Sequence, residues 1–203
     1  MGQTLALDNN GRVASDLGGV QVMVDGTPAP LLFVRGDQIN AVAPYEIAGK
    51  AGQHVNVQVI NNGVKGSSLS AAVVNTAPAI FSLGNGQGAI LNQDSTVNGA
   101  GNPAAKGSVI TIYATGEGQL NPPGIDGRLA FDPLASLPRP IAPVQVMIGG
   151  INATYTYAGT APTSFEGFFQ VNAIVPSNVL SGNIPVMLIV GGVSSPPLNV
   201  VVK

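Results

Sequence analysis

The sequence predicts an all-β protein of two tandem immunoglobulin-like β-sandwich domains, the first of which lacks its initial strand or strands. Three observations lead to this prediction: frequent chain-breaking residues, apolar residues that alternate with period two, and stretches that occur twice. The 203 residues include 27 glycines and 16 prolines, a composition that suits short strands and tight turns. No window of ten or more residues shows convincing helical periodicity.

Alternating apolar residues mark the individual strands. Residues 20–24 read VQVMV and residues 54–59 read HVNVQV, the pattern of strands with one buried face. In the second strand, alternation places His54 on the polar face, opposite the valines. The stretches NNG at 61–63 and GG at 191–192 supply the positive-φ residues that hairpin turns require.

Four stretches occur twice in the same order, which indicates an internal duplication with a period of about 125–130 residues. We call residues matched in this way counterparts. The matched stretches are VQVMVDG at 20–26 with VQVMIGG at 144–150, QINAVAP at 38–44 with QVNAIVP at 170–176, NGV at 62–64 with GGV at 191–193, and LSAAVV at 69–74 with LNVVV at 198–202.

The duplication divides the chain into two domains, residues 1–77 and residues 78–203, with the boundary at the Pro-bearing connection NTAP, 75–78. The strand SVITIY at 108–113 lies in the second copy, within a stretch from about 80 to 114 that has no counterpart in the first. We therefore expect the first domain to begin one or two strands late.

A missing strand leaves an apolar groove bordered by unpaired backbone groups, which favours strand addition from another chain. Head-to-tail addition builds a filament unless it closes into a ring. A competing explanation is that the strand exists in a precursor and is trimmed. The first candidate donor lies in the N-terminal residues 1–7 and the second at the C-terminus: Gln3, Thr4, Leu5, Ala6 and Leu7; and Leu198, Val200 and Val202. The second candidate is weaker because the second domain needs that segment as its own last strand.

Six stretches form a fairly specific combination: LGGV at 17–20, QIN at 38–40, PYE at 44–46, GAILNQD at 88–94, NPA at 102–104 and SVITIYATG at 108–116. In these stretches the chain resembles the uncharacterised C-terminal domain pair of large secreted acidobacterial proteins. The resemblance covers nearly the whole chain and implies an extracellular, Ig-like pair with no assigned activity. Members usually carry a strand like GSVITIY before the first domain too, and this sequence departs from them there.

Composition excludes several classes of function. Charged residues are 9% of the chain, against roughly 25% in an average soluble domain. The eight cations are scattered and the net charge is −2, which argues against nucleic-acid binding. No apolar run reaches the roughly 20 residues of a membrane helix, so no membrane insertion is expected. Cysteine is absent, which excludes disulfides, thiolate catalysis and Cys-ligated zinc.

No candidate site carries a convincing chemical signature. The glycines at 84, 86 and 88 precede a strand-like stretch instead of the helix that a phosphate loop needs, and a lone histidine, His54, favours a solvated surface position. The Asp/Asn runs at 8–11 and 92–95 fit Asx turns better than calcium sites. The proline-rich residues 137–143 favour an edge segment over a partner-docking motif. We therefore expect no enzymatic activity, cofactor or metal.

Two functions remain from this reasoning. The sparse charge favours a structural subunit of an extracellular assembly that binds copies of itself, since a monomer kept soluble by charge usually carries more of it. The alternative is a binding or spacer module of a larger secreted protein, directed at glycans or a surface. The absence of Trp and the presence of only four Tyr weaken the glycan reading, because sugars stack on aromatic rings. A hydrolase whose active-site residues form no recognisable sequence motif is the weakest hypothesis.

Overall fold

Facing β-sheets account for most of the regular structure. The computed structural model describes residues 2–203, and among these the helical elements are two short 3₁₀ helices, Tyr45–Lys50 and Leu134–Ser136. The all-β prediction is confirmed. Seven strands precede residue 73: β1 (Gln3–Thr4), β2 (Val20–Val24), β3 (Thr27–Pro28), β4 (Leu31–Arg35), β5 (Gln38–Ala41), β6 (His54–Asn61) and β7 (Val64–Ala72).

Fourteen strands follow in the remainder of the chain. The first seven are β8 (Ala79–Ile80), β9 (Ser82–Gly84), β10 (Gln87–Gly88), β11 (Ile90–Leu91), β12 (Val109–Thr115), β13 (Leu120–Asn121) and β14 (Arg139–Pro140). The last seven are β15 (Val144–Ile148), β16 (Ile151–Ala153), β17 (Tyr155–Thr160), β18 (Phe169–Ile174), β19 (Gly182–Val190), β20 (Val193–Ser194) and β21 (Leu198–Val202).

The strands before residue 73 form two sheets with one core between them, which we call the N-terminal sandwich. One sheet has the order β1-β4-β5 and the other β3-β2-β6-β7. Each sheet sends alternate side chains inward, as the period of two requires. The buried core is small: Leu17, Val22, Val24, Ala29, Leu31, Val55 and Val73.

The later strands form the C-terminal sandwich, which has more strands and a larger core. One sheet has the order β16-β15-β19-β21-β10-β9, with β20 on β19, and the facing sheet has the order β11-β12-β18-β17, with β8 on β12. Strands β13 and β14 pair separately. The core includes Ile90, Ile110, Ile112, Val146, Ile148, Phe169, Val171, Val186, Leu188 and Val200.

The two sandwiches share details of strand pairing. The hairpins β4–β5 and β17–β18 carry a bulge at the same place in the pairing, and β2–β6 and β15–β19 have the same register. The pairs at the bulges are Leu31 with Ala41 and Phe33 with Asn40 in the first hairpin, and Tyr155 with Ala173 and Tyr157 with Asn172 in the second.

Turn residues explain where the hairpins reverse. Asn62 and Gly63 have φ values of 48° and 79°, the left-handed pair that a two-residue hairpin turn needs. Asn85 and Gly86 make the same kind of turn between β9 and β10. Residues 84–88 therefore form a hairpin followed by strand β11, as the sequence predicts, and not a phosphate-binding loop.

Candidate functional site

The outer edge of β5 is an open sheet edge. In the C-terminal sandwich, the counterpart strand β18 lies between β17 and β12. Strand β5 pairs with β4 on one side, and no strand among residues 2–203 pairs with its other side. Gln38–Ala41 therefore present unpaired backbone N–H and C=O groups, the feature by which sheets accept a further strand.

The inner face beside this edge is uncovered. Along β6, exposure rises from 4% at Val55 to 36% at Val59, and along the neighbouring segment it rises from 6% at Val73 to 72% at Leu69. These residues share the inward face, because they are spaced by even numbers along their strands. The N-terminal sandwich is thus closed at one end and open at the other, where Val59 and Leu69 are exposed on its inward face; we call this exposed apolar face the groove.

The counterparts of these residues are covered in the C-terminal sandwich. Val22 pairs with Val59 in the same register as Val146 pairs with Leu188, yet Leu188 is fully buried. The cover comes from β12, whose Ile110 and Ile112 are fully buried and belong to the same core. The groove of the N-terminal sandwich therefore corresponds to the place that β12 fills in the other.

On β5, the outer face matches that of β18, whereas the inner face is more exposed. On the outer face, Gln38 Nε2 donates to Asn40 Oδ1 at 2.9 Å, and the counterpart amides make the same 2.9 Å bond in β18. On the inner face, Ala41 is exposed, whereas its counterpart Ala173 is completely buried. Strand β5 therefore has the same outward amide pair as β18, and its inward face is more exposed.

The outer edge of β7 is a second unpaired edge within residues 2–203. In the C-terminal sandwich, β10 pairs with β21, and the Asn98 side chain bonds both backbone groups of Val201, at 2.7 and 2.9 Å. Sequence reasoning missed this edge. The signal was present, because residues 82–88 lie in the stretch that has no counterpart.

The first candidate donor segment is engaged in its own sandwich. Gln3 pairs with Val34 and Thr4 with Phe33 at the far edge of the β4 sheet, and Leu5 N–H donates to Leu32 O at 2.9 Å. The side chains from Gln3 through Leu7, including Ala6, are nevertheless exposed. Met1 lies outside the described residues. The side chains of the segment are therefore accessible, but its backbone is already bonded to β4.

The second candidate donor segment is an interior strand. Leu198–Val202 forms β21 between β19 and β10. Val200 is fully buried, Val202 is 2% exposed, and Leu198 is half-buried against the core. Donating this segment to another molecule would open the C-terminal sandwich, which fits the expectation that the segment serves as that domain's last strand.

The other stretches that the sequence singled out have ordinary surroundings. His54 is exposed on the outer face of β6. Asp8 Oδ1 accepts bonds from the backbone N–H groups of Asn10 and Arg12, which keeps the pKa of Asp8 low through those bonds, and Asp94 caps Thr96 similarly. Within residues 2–203, no group of three or more His, Cys, Asp or Glu side chains is placed to hold a metal.

A cluster of three carboxyl groups, two buried and one half-buried, lies where the two sandwiches meet. Tyr45 N–H donates to Asp126 Oδ1 at 2.9 Å, which joins the first 3₁₀ helix to a loop of the C-terminal half. Glu117 is 2% exposed, and its Oε1 has no hydrogen-bond partner within residues 2–203. Burial raises the pKa of Glu117 to about 7 and that of Asp126 to about 6.

Glu166 is the third carboxyl of this cluster and, unlike Glu117, has both a backbone hydrogen bond and a cationic neighbour. It is 1% exposed, accepts a bond from Ile125 N–H at 2.5 Å, and lies 3.4 Å from Arg128 Nη1. Burial raises its pKa, while the bond from Ile125 and the charge of Arg128 oppose the shift. Sequence reasoning missed the cluster, because its members are single acids spread over about fifty residues with no motif.

Comparison with known proteins adds no relative. No protein-family model matches the chain, and no curated protein matches it significantly. The resemblance to the acidobacterial domain pair therefore stays a prediction. None of the helices described between residues 2 and 203 is long and apolar enough to cross a membrane.

Proposed function

We propose that the protein is a non-enzymatic structural subunit of an extracellular assembly, a filament in which copies of the chain join by β-strand addition. The observation that carries this proposal is the open edge of β5 beside the groove lined by Val59 and Leu69. An exposed backbone edge and an uncovered apolar face at one place are what a donated strand satisfies together.

The shared pairing of the two sandwiches supports the duplication on which this proposal depends. Two tandem Ig-like domains, residues 1–77 and 78–203, account for the common bulge in β4–β5 and β17–β18 and for the common register of β2–β6 and β15–β19. In this reading β12 shows what the first domain lacks. The position of β12 in the second domain then indicates where an added strand would lie in the first.

The energy available to strand addition is considerable. In the C-terminal sandwich, β12 buries Ile110 and Ile112 completely. At about 1.5–3 kcal/mol for each fully buried large side chain, two such residues contribute about 3–6 kcal/mol, an upper range since the free strand already hides some surface. Backbone pairing along Gln38–Ala41 adds to this. One acceptor and one donor per chain then produce head-to-tail growth.

The pairing of β1 with β4 favours the alternative function as a second candidate. Because Gln3 and Thr4 are already paired, the edge of β5 is also suited to a strand from elsewhere in a larger secreted protein, of which this chain is a binding or spacer module. In that case the groove is filled within one polypeptide, and purified chains do not associate through it.

Assembly is tested by placing a charge in the groove. Ala41→Lys puts an ammonium group on the inward, exposed position whose counterpart Ala173 is fully buried. Because Ala41 is exposed, the isolated chain should fold normally, whereas a strand covering the groove would bury an unpaired charge. We expect Ala41→Lys to abolish assembly, measured by light scattering and electron microscopy.

His54→Lys is the control, since His54 is exposed on the outer face of β6, away from the groove and from the edge of β5. It should assemble like the parent. Assembly of Ala41→Lys at the parent's concentration would show that the groove is not the joint. A parent chain that stays monomeric at every concentration, with circular dichroism intact, would favour the module function instead.

A further inference from the structure

We propose that the strand added to β5 is residues 4–8 of a second copy, antiparallel to β5, with Leu5 and Leu7 in the positions that Ile110 and Ile112 occupy in the C-terminal sandwich. Ala6 of the donor then lies opposite Asn40 of the acceptor. This inference rests on the proposed function, which it deepens by naming the donor residues and their register.

The register follows from the pairing of β12 with β18. There Ile110 lies opposite Ala173, Thr111 opposite Asn172 and Ile112 opposite Val171. The counterparts of the β18 residues are Ala41, Asn40 and Ile39. Since β4–β5 and β17–β18 share their bulge, β5 presents its outer edge with the same spacing as β18.

The donor residues match the positions that they fill. Ile110 and Ile112 are fully buried while Thr111 between them is half-buried, so the site takes two large apolar side chains separated by one outward residue. Leu5 and Leu7 are separated by the small Ala6, and they are 38% and 50% exposed at home. Donation moves both leucines from partial exposure into the groove.

A shift of two residues towards the β4–β5 turn is disfavoured by the residue that Leu7 would then face. Leu7 would then lie opposite Asp37, whose carboxylate is 70% exposed and bound to the Arg35 guanidinium at 2.5 Å. A leucine beside this exposed ion pair gains little burial. The register with Leu7 opposite the half-buried Ile39 places both leucines over apolar neighbours instead.

Donation requires the segment to leave its present place, and little holds it there. Strand β1 has two paired residues, and one further backbone bond joins Leu5 to Leu32. Beyond Leu5, the N–H of Ala14 donates to Ala6 O and the N–H of Asp8 donates to Arg12 O. Donation exchanges these backbone bonds for bonds along β5 and adds the burial of two leucines.

The register is tested by disulfide trapping, since the chain has no cysteine of its own. A peptide of residues 2–10 carrying Ala6→Cys is mixed with the full chain carrying Asn40→Cys under mild oxidation. Facing residues of an antiparallel pair have Cα atoms about 4.5–5.5 Å apart, within reach of a disulfide. We expect the Asn40→Cys chain to cross-link at least ten times faster than chains carrying Gln38→Cys or Ala41→Cys.

Those two variants are matched controls on the same strand. Gln38 lies on the same face two residues away, and Ala41 lies on the opposite face. Equal cross-linking of all three chains, or preference for Gln38→Cys, would overturn the register. Absence of cross-linking in all three would overturn residues 4–8 as the donor.

The full chain carrying both Ala6→Cys and Asn40→Cys separates this inference from the proposed function. Within one molecule, β4 lies between these residues, and two strand spacings of about 9–10 Å exceed the reach of a disulfide. A ladder of oligomers on a non-reducing gel supports both proposals. Filaments without a ladder would refute the register alone, and peptide cross-linking without oligomers would refute self-assembly alone.

Discussion

At the scale of single residues, the most unusual group is the carboxyl of Glu117. It is buried where the two sandwiches meet, and burial raises its pKa while only a bond to its own backbone opposes the shift. A carboxyl in such a place is more stable protonated than ionised. Glu166, which faces the same region, is compensated by Arg128 and by a backbone bond.

The raised pKa of Glu117 makes stability depend on pH with a definite sign. The folded value is about 7 against an ordinary value of 4.5, so the folded chain binds more protons between these values. The stabilisation is fully present below about pH 4.5 and is lost as pH rises through about 7. Glu117→Gln should flatten this decline, which amounts to about 3 kcal/mol.

The measurement is the free energy of unfolding in denaturant at pH 5 and pH 8. The parent should lose stability between these values, and Glu117→Gln should lose much less. Asp37→Asn, at an exposed carboxyl on the surface, should keep the parent's dependence. A parent that is more stable at pH 8 than at pH 5 would contradict the prediction. The remaining dependence of Glu117→Gln then reports on Asp126 and Glu166, whose pKa values burial also raises.

At the scale of strands, β5 and β18 have nearly the same sequence and different neighbours. Val171 of β18 is fully buried under β12, whereas its counterpart Ile39 is half-buried at the rim of the open groove. The contribution of a side chain to stability depends on how completely it is enclosed. Equivalent positions in the two sandwiches should therefore respond differently to truncation.

Truncation of β12 and of β5 tests this difference. Ile112→Ala removes a fully buried side chain and should lower the free energy of unfolding of the C-terminal sandwich by about 2–5 kcal/mol. Ile39→Ala should lower that of the N-terminal sandwich by about 1 kcal/mol, because part of the side chain already contacts water. Denaturant titration of both variants is the measurement, and equal losses would show that the groove is already closed.

Strands with regular alternation could be located from the sequence. The stretches at 20–24, 54–59 and 144–148 are strands in the structure, because alternation reports directly on a sheet with one buried face. The pairing of β1 with β4 could not be predicted, since two exposed residues carry no periodic signal. The carboxyl cluster was equally hidden, because loops distant in sequence bring it together and its members have no characteristic spacing.

At the scale of the whole molecule, the two sandwiches differ in the size of their hydrophobic cores. The N-terminal core is much smaller, and the two halves are joined by backbone bonds such as that from Val13 N–H to Gly127 O at 2.8 Å. Since buried apolar area is the main source of stability, the N-terminal sandwich should open first on heating. Filling its groove should reduce the difference.

A transient pairing of β12 with β5 can be detected with a cysteine pair at Asn40 and Thr111. If β12 pairs with β5 while the chain folds, Asn40→Cys and Thr111→Cys should form an intramolecular disulfide when oxidant is present during refolding. The same pair should remain reduced when oxidant is added to the folded protein. A refolding chain that never cross-links would refute this pairing.

The open edge of β5 therefore has a kinetic consequence. Residues 38–41 leave the ribosome before β12, and β12 leaves it before β18, so the edge of β5 is available to β12 before its native partner exists. Only when β18 arrives and encloses Ile110 and Ile112 does the native pairing become the more stable. A molecule that fails to make this exchange has a complete first sandwich and an incomplete second one. Its open edge then lies on β18 instead of β5.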